Sequence, residues 1–195
     1  MSGLNGAAIF VIQTLGSLYL LIVLLRFILQ LVRANFYNPI CQFTVKATQP
    51  LLKPLRRVIP SMFGLDMSSL VLAIIVQMVI FAVVLMLSYI PFTVLGLFLW
   101  AIIGVLKLFL NVFFYALIIS VILSWVAPGS TSPGAELVNQ ITEPALAPFR
   151  RFLPSMGGLD ISPILAFMVI QLFQSFVIPP LAMSVNMPLE LFGLI

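Results

Sequence analysis

"PLRRVIPSMFGLD", residues 54–66, returns as "PFRRFLPSMGGLD", residues 148–160. A shift of 94 positions lays one on the other without a gap, and both Arg-Arg pairs of the chain fall inside. Outward from the motif the same shift carries Pro39 to Pro133, Thr48 to Thr142, Pro50 to Pro144, Ser68 to Ser162 and Gln77 to Gln171. It also sets Gln13 against Lys107, and Arg26 against Ser120. The chain therefore reads as a tandem duplication, with units at residues 1–94 and 95–195. Each unit is a helix, a connecting segment and a second helix.

The composition says where these units sit. Of 195 residues, 63% are hydrophobic and 7% charged, whereas a soluble domain carries about 25% charged residues. So few charges cannot cover a water-facing surface, and an all-α, polytopic membrane protein is expected. A crossing takes about 20 residues. Four stretches qualify: Gln13–Val32, Ser68 to just before Pro91, Lys107–Val126, and Pro163–Ile178. The stretch from Pro91 to Pro128 is too long for one simple crossing. Lys107 is read as its interface marker, so Phe92–Leu106 either lies along the surface or extends the helix beyond it. Pro179 and Pro180 are expected to end the fourth span, with the tail "NMPLELFGLI" resting on the surface. The start of the chain has no basic residue before its apolar run, so the first span is read as retained rather than as a cleaved leader.

Each unit crosses twice, so both copies share one orientation and are related by an axis along the membrane normal. The segments that hold the motifs carry Arg33, Lys46, Lys53, Arg56, Arg57, Arg150 and Arg151, while the connection around Pro91 is uncharged until Lys107. The basic segments are thus expected in the cytoplasm and both termini outside. Each connecting segment is expected to hold a short interfacial helix, opened by Asn38-Pro39 or Ser132-Pro133 and ended by Pro50 or Pro144. Ile40, Phe43 and Ala47, and in the second copy Leu137, Val138 and Ile141, would face lipid.

The motif itself reads as a device for re-entering the membrane. Pro54, Pro60, Pro148 and Pro154 interrupt helix, and Gly64 and Gly158 allow a positive-φ turn. Asp66 and Asp160 are helix-cap or ion-pair candidates at the start of the next span. Arg56, Arg57, Arg150 and Arg151 are candidate contacts for anionic phospholipid headgroups or for a partner. Three intramembrane polar residues stand out. Gln77 and Gln171 lie near mid-membrane, where each either ties helices together, Gln77 to Gln171 across the pseudo-twofold axis, or lines an ion or water path. Arg26 either snorkels to the interface or pairs in the interior with Asp66 or Asp160.

The chain lacks histidine and has one cysteine, Cys41. Imidazole chemistry is excluded, an intrachain disulfide is impossible, and no metal site, cofactor or catalytic residue is expected. Nucleic acid is not expected as a partner, because the basic residues border apolar spans instead of forming one patch. The pattern P-L-R-R-x-I-P-S-x-x-G-L-D-x-S, placed twice between paired spans, resembles the YggT family, also called YlmG-like. The likeness covers nearly the whole chain. The second copy departs from the first at Pro163 and Gly157, where the first has Ser69 and Phe63. The resemblance implies a bacterial inner-membrane protein with no established enzyme activity. Two-copy proteobacterial members are associated with osmotic-stress tolerance and potassium uptake. Single-copy relatives are associated with cell division, nucleoid distribution and plastid cytochrome assembly. The expected function is therefore non-enzymatic, in osmotic or envelope stress. The alternatives are an assembly scaffold and a small-ion channel or transporter, with a homo-oligomer or another membrane protein as partner.

Overall fold

A computed structural model of the chain describes residues 3–62, 64–152 and 160–192. Four of its helices are long and apolar enough to cross a membrane. Helix α1, Gly3–Leu31, leads into α2, Pro39–Leu55, and then α3, Met67–Leu87. The second unit repeats the order with α4, Val94–Val126, α5, Pro133–Phe152, and α6, Ser162–Leu172. A π-turn, Phe173–Val177, joins α6 to α7, Ile178–Ser184, and α8, Leu189–Phe192, follows.

Three helix ends use a left-handed residue that is not glycine. Arg33, Tyr89 and Asn186 have φ of 55°, 58° and 49°. Each lets the next N–H reach back five residues: Ala34 to Leu29, Ile90 to Leu85 and Met187 to Ala182. That bond closes the helix on its own last carbonyls, as glycine does at most such ends.

Proline terminates less than expected. Helix α2 runs through Pro50 and Pro54, and α5 through Pro144 and Pro148. The prolines of each pair are four residues apart, so the lost N–H bonds fall on one exposed stripe. The opposite face of α2 buries Cys41, Thr44, Thr48 and Leu52, and that packing holds the helix. Nor do Pro179 and Pro180 end the last span. The Ile178 N–H bonds Phe173 across five residues, and this wider turn admits two residues without donors as the start of α7.

Helix α4 is continuous for 33 residues. It opens with the Thr93 hydroxyl accepting from the Gly96 N–H at 3.1 Å. Lys107 marks no helix start. Of the two readings for Phe92–Leu106, the structure takes the extended helix. Residue Lys107 lies 5.8 Å from the Phe192 ring of α8. As far as Phe192 the tail is not a surface appendage: Leu191 is fully buried against the cluster that holds Trp100 and Ile103, and the Trp100 indole donates to Val185 O at 3.0 Å.

Three apolar clusters hold the bundle. One joins α1 and α3 to α2, α4 and α5; the second packs α3 and α4 on α7 and α8; the third sets α4 against α5 and α6. The connecting helices α2 and α5 meet at one end of the bundle. There the Asn38 side chain donates to Pro133 O at 2.7 Å, and the Asn35 N–H to Gln140 Oε1 at 3.0 Å. On α2, Ile40 and Phe43 stay exposed. On α5 the expectation fails, because Leu137 and Ile141 are buried in the first cluster instead of facing outward.

Candidate functional site

The first motif folds into a charged cluster beneath α2. Arg26, on the last third of α1, is 4% exposed and Asp66 is 5% exposed. The Arg26 guanidinium donates to Thr48 Oγ1 at 2.7 Å and to Val45 O at 3.1 Å, and its Nε lies 3.9 Å from Asp66 Oδ2. The Thr48 hydroxyl spends its own proton on Thr44 O, which leaves its lone pair for the arginine. Arg56 closes on the same Asp66 oxygen, with its Nε at 3.2 Å and its Nη2 also bonded. The Ser69 hydroxyl adds a third donor at 2.8 Å. One carboxylate thus gathers α1, the end of α2 and the first turn of α3.

The loop between is pinned as well. Gly64 takes φ 76°, as the turn requires. Gln30 of α1 donates to Gly64 O at 3.0 Å, and Ser68 to Ile59 O at 3.0 Å. A cavity of about 370 Å³ opens above, lined by Gln30, Arg56, Ile59, Ser61 and Asp66. Arg57 stays exposed beside it.

The second motif does not copy this arrangement. Asp160 is exposed. It accepts from the Ser162 N–H at 2.9 Å, from the Ser162 hydroxyl, and from Arg150 Nε at 2.9 Å. Arg150 also donates to Glu143 at 2.6 Å. Thr142 is buried like its twin, but Ser120 stands where an arginine would reach it. Arg151 is exposed. Pro154 and Gly158 lie outside the described residues.

The two halves match one sequence family separately, over residues 5–87 and 99–181. The chain belongs to the CCB3/YggT family. The two matched ranges are displaced by 94 positions at either end, the same shift that aligns the motifs. The chain is 62% identical over 193 residues to the Pseudomonas aeruginosa protein PA0392, covering 98% of each. It is 41% identical over 170 residues to a Vibrio alginolyticus protein described as "in proC 3'region", covering 86% of this chain and 90% of that one. It is 39% identical over 185 residues to YggT of Escherichia coli K12, covering 91% of this chain and 93% of that one. No solved structure matches.

Within this CCB3/YggT chain the cap reading therefore divides. Asp66 makes no side-chain cap bond to its helix; its Oδ2 takes arginine and serine donors instead. Asp160 does receive a first-turn N–H. Arg26 does not snorkel, because a ready-made anion and two α2 acceptors hold it inside. Burial pushes the Asp66 carboxyl up, but hydrogen bonds from Arg56 and Ser69 and the charges of Arg56 and Arg26 outweigh it and leave it below its ordinary value. Asp160 is also held down, by Ser162 and Arg150 against a burial effect of opposite sign.

The glutamines separate. Gln77 is 5% exposed. Gln171 is exposed and donates to Ser175 on its own helix at 3.2 Å. Among the described residues no hydrogen bond joins Gln77 to Gln171. The polar tie between α4 and the last span is instead Gln174 to Asn111, at 2.8 Å. Gln30 and Ser69 were missed as site residues, and Thr48 was seen only as a repeated position. A signal existed. Two positions that differ between the copies, Arg26 against Ser120 and Ser69 against Pro163, are both partners of Asp66.

Proposed function

We propose that this YggT-family chain is a non-enzymatic protein of the bacterial inner membrane that supports tolerance of osmotic or envelope stress and is linked to potassium uptake. It acts through the end of the bundle that bears α2, α5 and the arginine motifs, and that end faces the cytoplasm. The observation that carries this reading is the charge difference between the two ends. Arg33, Lys46, Lys53, Arg56, Arg57, Arg150 and Arg151 crowd one end, and residues 88–93 at the other carry no charge. Exposed Lys46, Lys53 and Arg57 beside exposed Ile40 and Phe43 suit anionic headgroups, at about 1 kcal/mol per basic residue. Polar groups within the spans bond locally, Gln174 to Asn111 and Gln171 to Ser175, which favours a non-conducting protein over a channel.

The test is rescue of a deletion strain in high salt and in low potassium, with the purified protein assayed for ion flux in liposomes. Rescue with silent liposomes is the expected result; flux would move the assignment to a conductor. A cysteine near Arg57 or Arg151 is expected to resist impermeant labels in intact cells, and one near Pro91 to react. The reverse pattern would invert the orientation. The scaffold reading is favoured by one observation, the polar cavity of about 370 Å³ beside Arg56, which is open to a partner's side chains. A protein that co-purifies only when Arg56 is intact would support it.

A further inference from the structure

We propose that α6 is the surface through which two copies of this chain associate in the membrane, with their Gln171 amides paired across it. Gln171 lies nine residues into the last span, ~14 Å from its start at 1.5 Å per residue, close to the middle of ~30 Å of hydrocarbon. It is exposed there. Its amide offers two donors and a carbonyl acceptor, and among the described residues its bond is the one to Ser175. Lipid tails supply no partner for the rest. Gln174, three residues on, is in the opposite situation, because Asn111 of α4 occupies it within the chain.

The residues around Gln171 form a seam. Ile164, Met168, Gln171 and Ser175 follow one another at steps of four, three and four, and all are exposed. That spacing is the packing stripe of two helices crossing at a shallow angle. The seam ends where the π-turn shifts the register: Ile178, the next position in the series, is buried inside the chain. A second copy is the occupant that the chemistry selects. Two copies inserted in the same direction are related by an axis along the membrane normal, so equal residues meet at equal depth. An amide is its own complement, the N–H of one meeting the carbonyl of the other. Ser175, small and one turn further, permits close approach.

The proposal does not depend on the stress reading. Its test uses the purified full chain in liposomes, with native Cys41 buried. Met168→Cys and Ser175→Cys are expected to give oxidised dimers. Ile122→Cys, equally exposed on α4, is expected to remain monomeric. Gln171→Leu, measured by single-molecule subunit counting as the protein is diluted in lipid, is expected to weaken association about 3- to 30-fold, the worth of one interhelical hydrogen bond. Gln171→Asn is expected to recover part of it. Equal cross-linking at Ile122, monomers at every dilution, or unchanged association in Gln171→Leu would overturn the proposal.

Discussion

The two motifs share their arginines and aspartates, yet one builds an interior cluster and the other a surface one. In the first, Asp66 is buried with Arg26, and the exposed Arg56 closes on it from the rim, two cations to one anion. In the second, Asp160 and Glu143 share Arg150 at the surface, two anions to one cation. The difference traces to residues outside the repeated core. Arg26 reaches Thr48 and Asp66 from the neighbouring span, and Ser120 cannot. Ser69 donates to Asp66, and Pro163 has no donor side chain. The second copy keeps the aspartate and the first arginine of the motif, but lacks the span arginine and the serine donor that complete the cluster around Asp66. A charge is kept in the interior only where enough partners compensate it, and the second aspartate, with fewer cations beside it, stays exposed. The lesson is that a motif's role is set by what faces it.

Arg26→Ser would break the comparison most severely, since it gives the first copy the residue of the second. A buried carboxylate then loses one of its two cations, and a loss on the order of 3–5 kcal/mol is expected. The check is unfolding of the purified protein in detergent, together with its abundance in membranes. If stability is unchanged, Arg26 contributes nothing that Arg56 does not.

Replacing each aspartate by Asn separates the copies next. Asp66→Asn keeps an acceptor but discards the charge that two arginines surround, and about 2–3 kcal/mol is expected to be lost. Asp160→Asn removes an exposed ion pair worth about 1 kcal/mol or less, and the Asn side chain still accepts from the Ser162 N–H. Equal losses in the two variants would mean that burial does not distinguish the sites.

Acid sharpens the same contrast by a smaller amount. Both aspartates titrate below their ordinary value in the fold. A carboxylate with a lowered folded pKa stabilises above its unfolded pKa, and the contribution disappears as pH falls through the folded one. Stability is therefore expected to hold from neutrality down to the ordinary carboxylate range, near pH 4, and to fall below it. Asp66→Asn should flatten that fall more than Asp160→Asn does. An identical acid limb in both variants would contradict the difference in environment.

The smallest effect is expected at the second arginine of each pair. Arg57 and Arg151 are exposed, and their replacement by Lys should change stability by no more than about 0.5 kcal/mol. Arg56→Lys should cost more, because Lys cannot send two donors of a planar fork to one carboxylate oxygen. Equal tolerance at residues 56 and 57 would show that the fork geometry is dispensable.

The architecture was legible in the sequence because bilayer physics writes it in length and composition. Apolar runs gave four spans, and the displacement between motifs gave two tandem units. Gly64, at φ 76°, was legible because a tight turn before a span requires such a residue. Helix ends were less legible. Rules for proline describe an isolated helix, but α2 is held through Pro50 and Pro54 by the burial of Thr44, Thr48 and Leu52. Lys107 reads as a membrane edge because a lone cation belongs at one, but an edge does not say where a helix begins, and α4 starts well before it at Val94. Arg26 was open to two readings because its distance from the helix end is compatible with both. Only the position of Thr48 on a different helix decides between them, and that is a fact of tertiary structure.

One consequence belongs to α4. At 33 residues and ~1.5 Å per residue it is ~50 Å long, against ~30 Å of hydrocarbon. Such a helix fits a bilayer by leaning, by standing proud of it, or by thickening the lipid around it. Its neighbours constrain that choice. The N-terminal half is clasped by α3, α7 and α8, and the C-terminal half by α5 and α6. A change in bilayer thickness therefore bears on α4 as a lever held at two points, and any change in its lean is transmitted to both clasps at once.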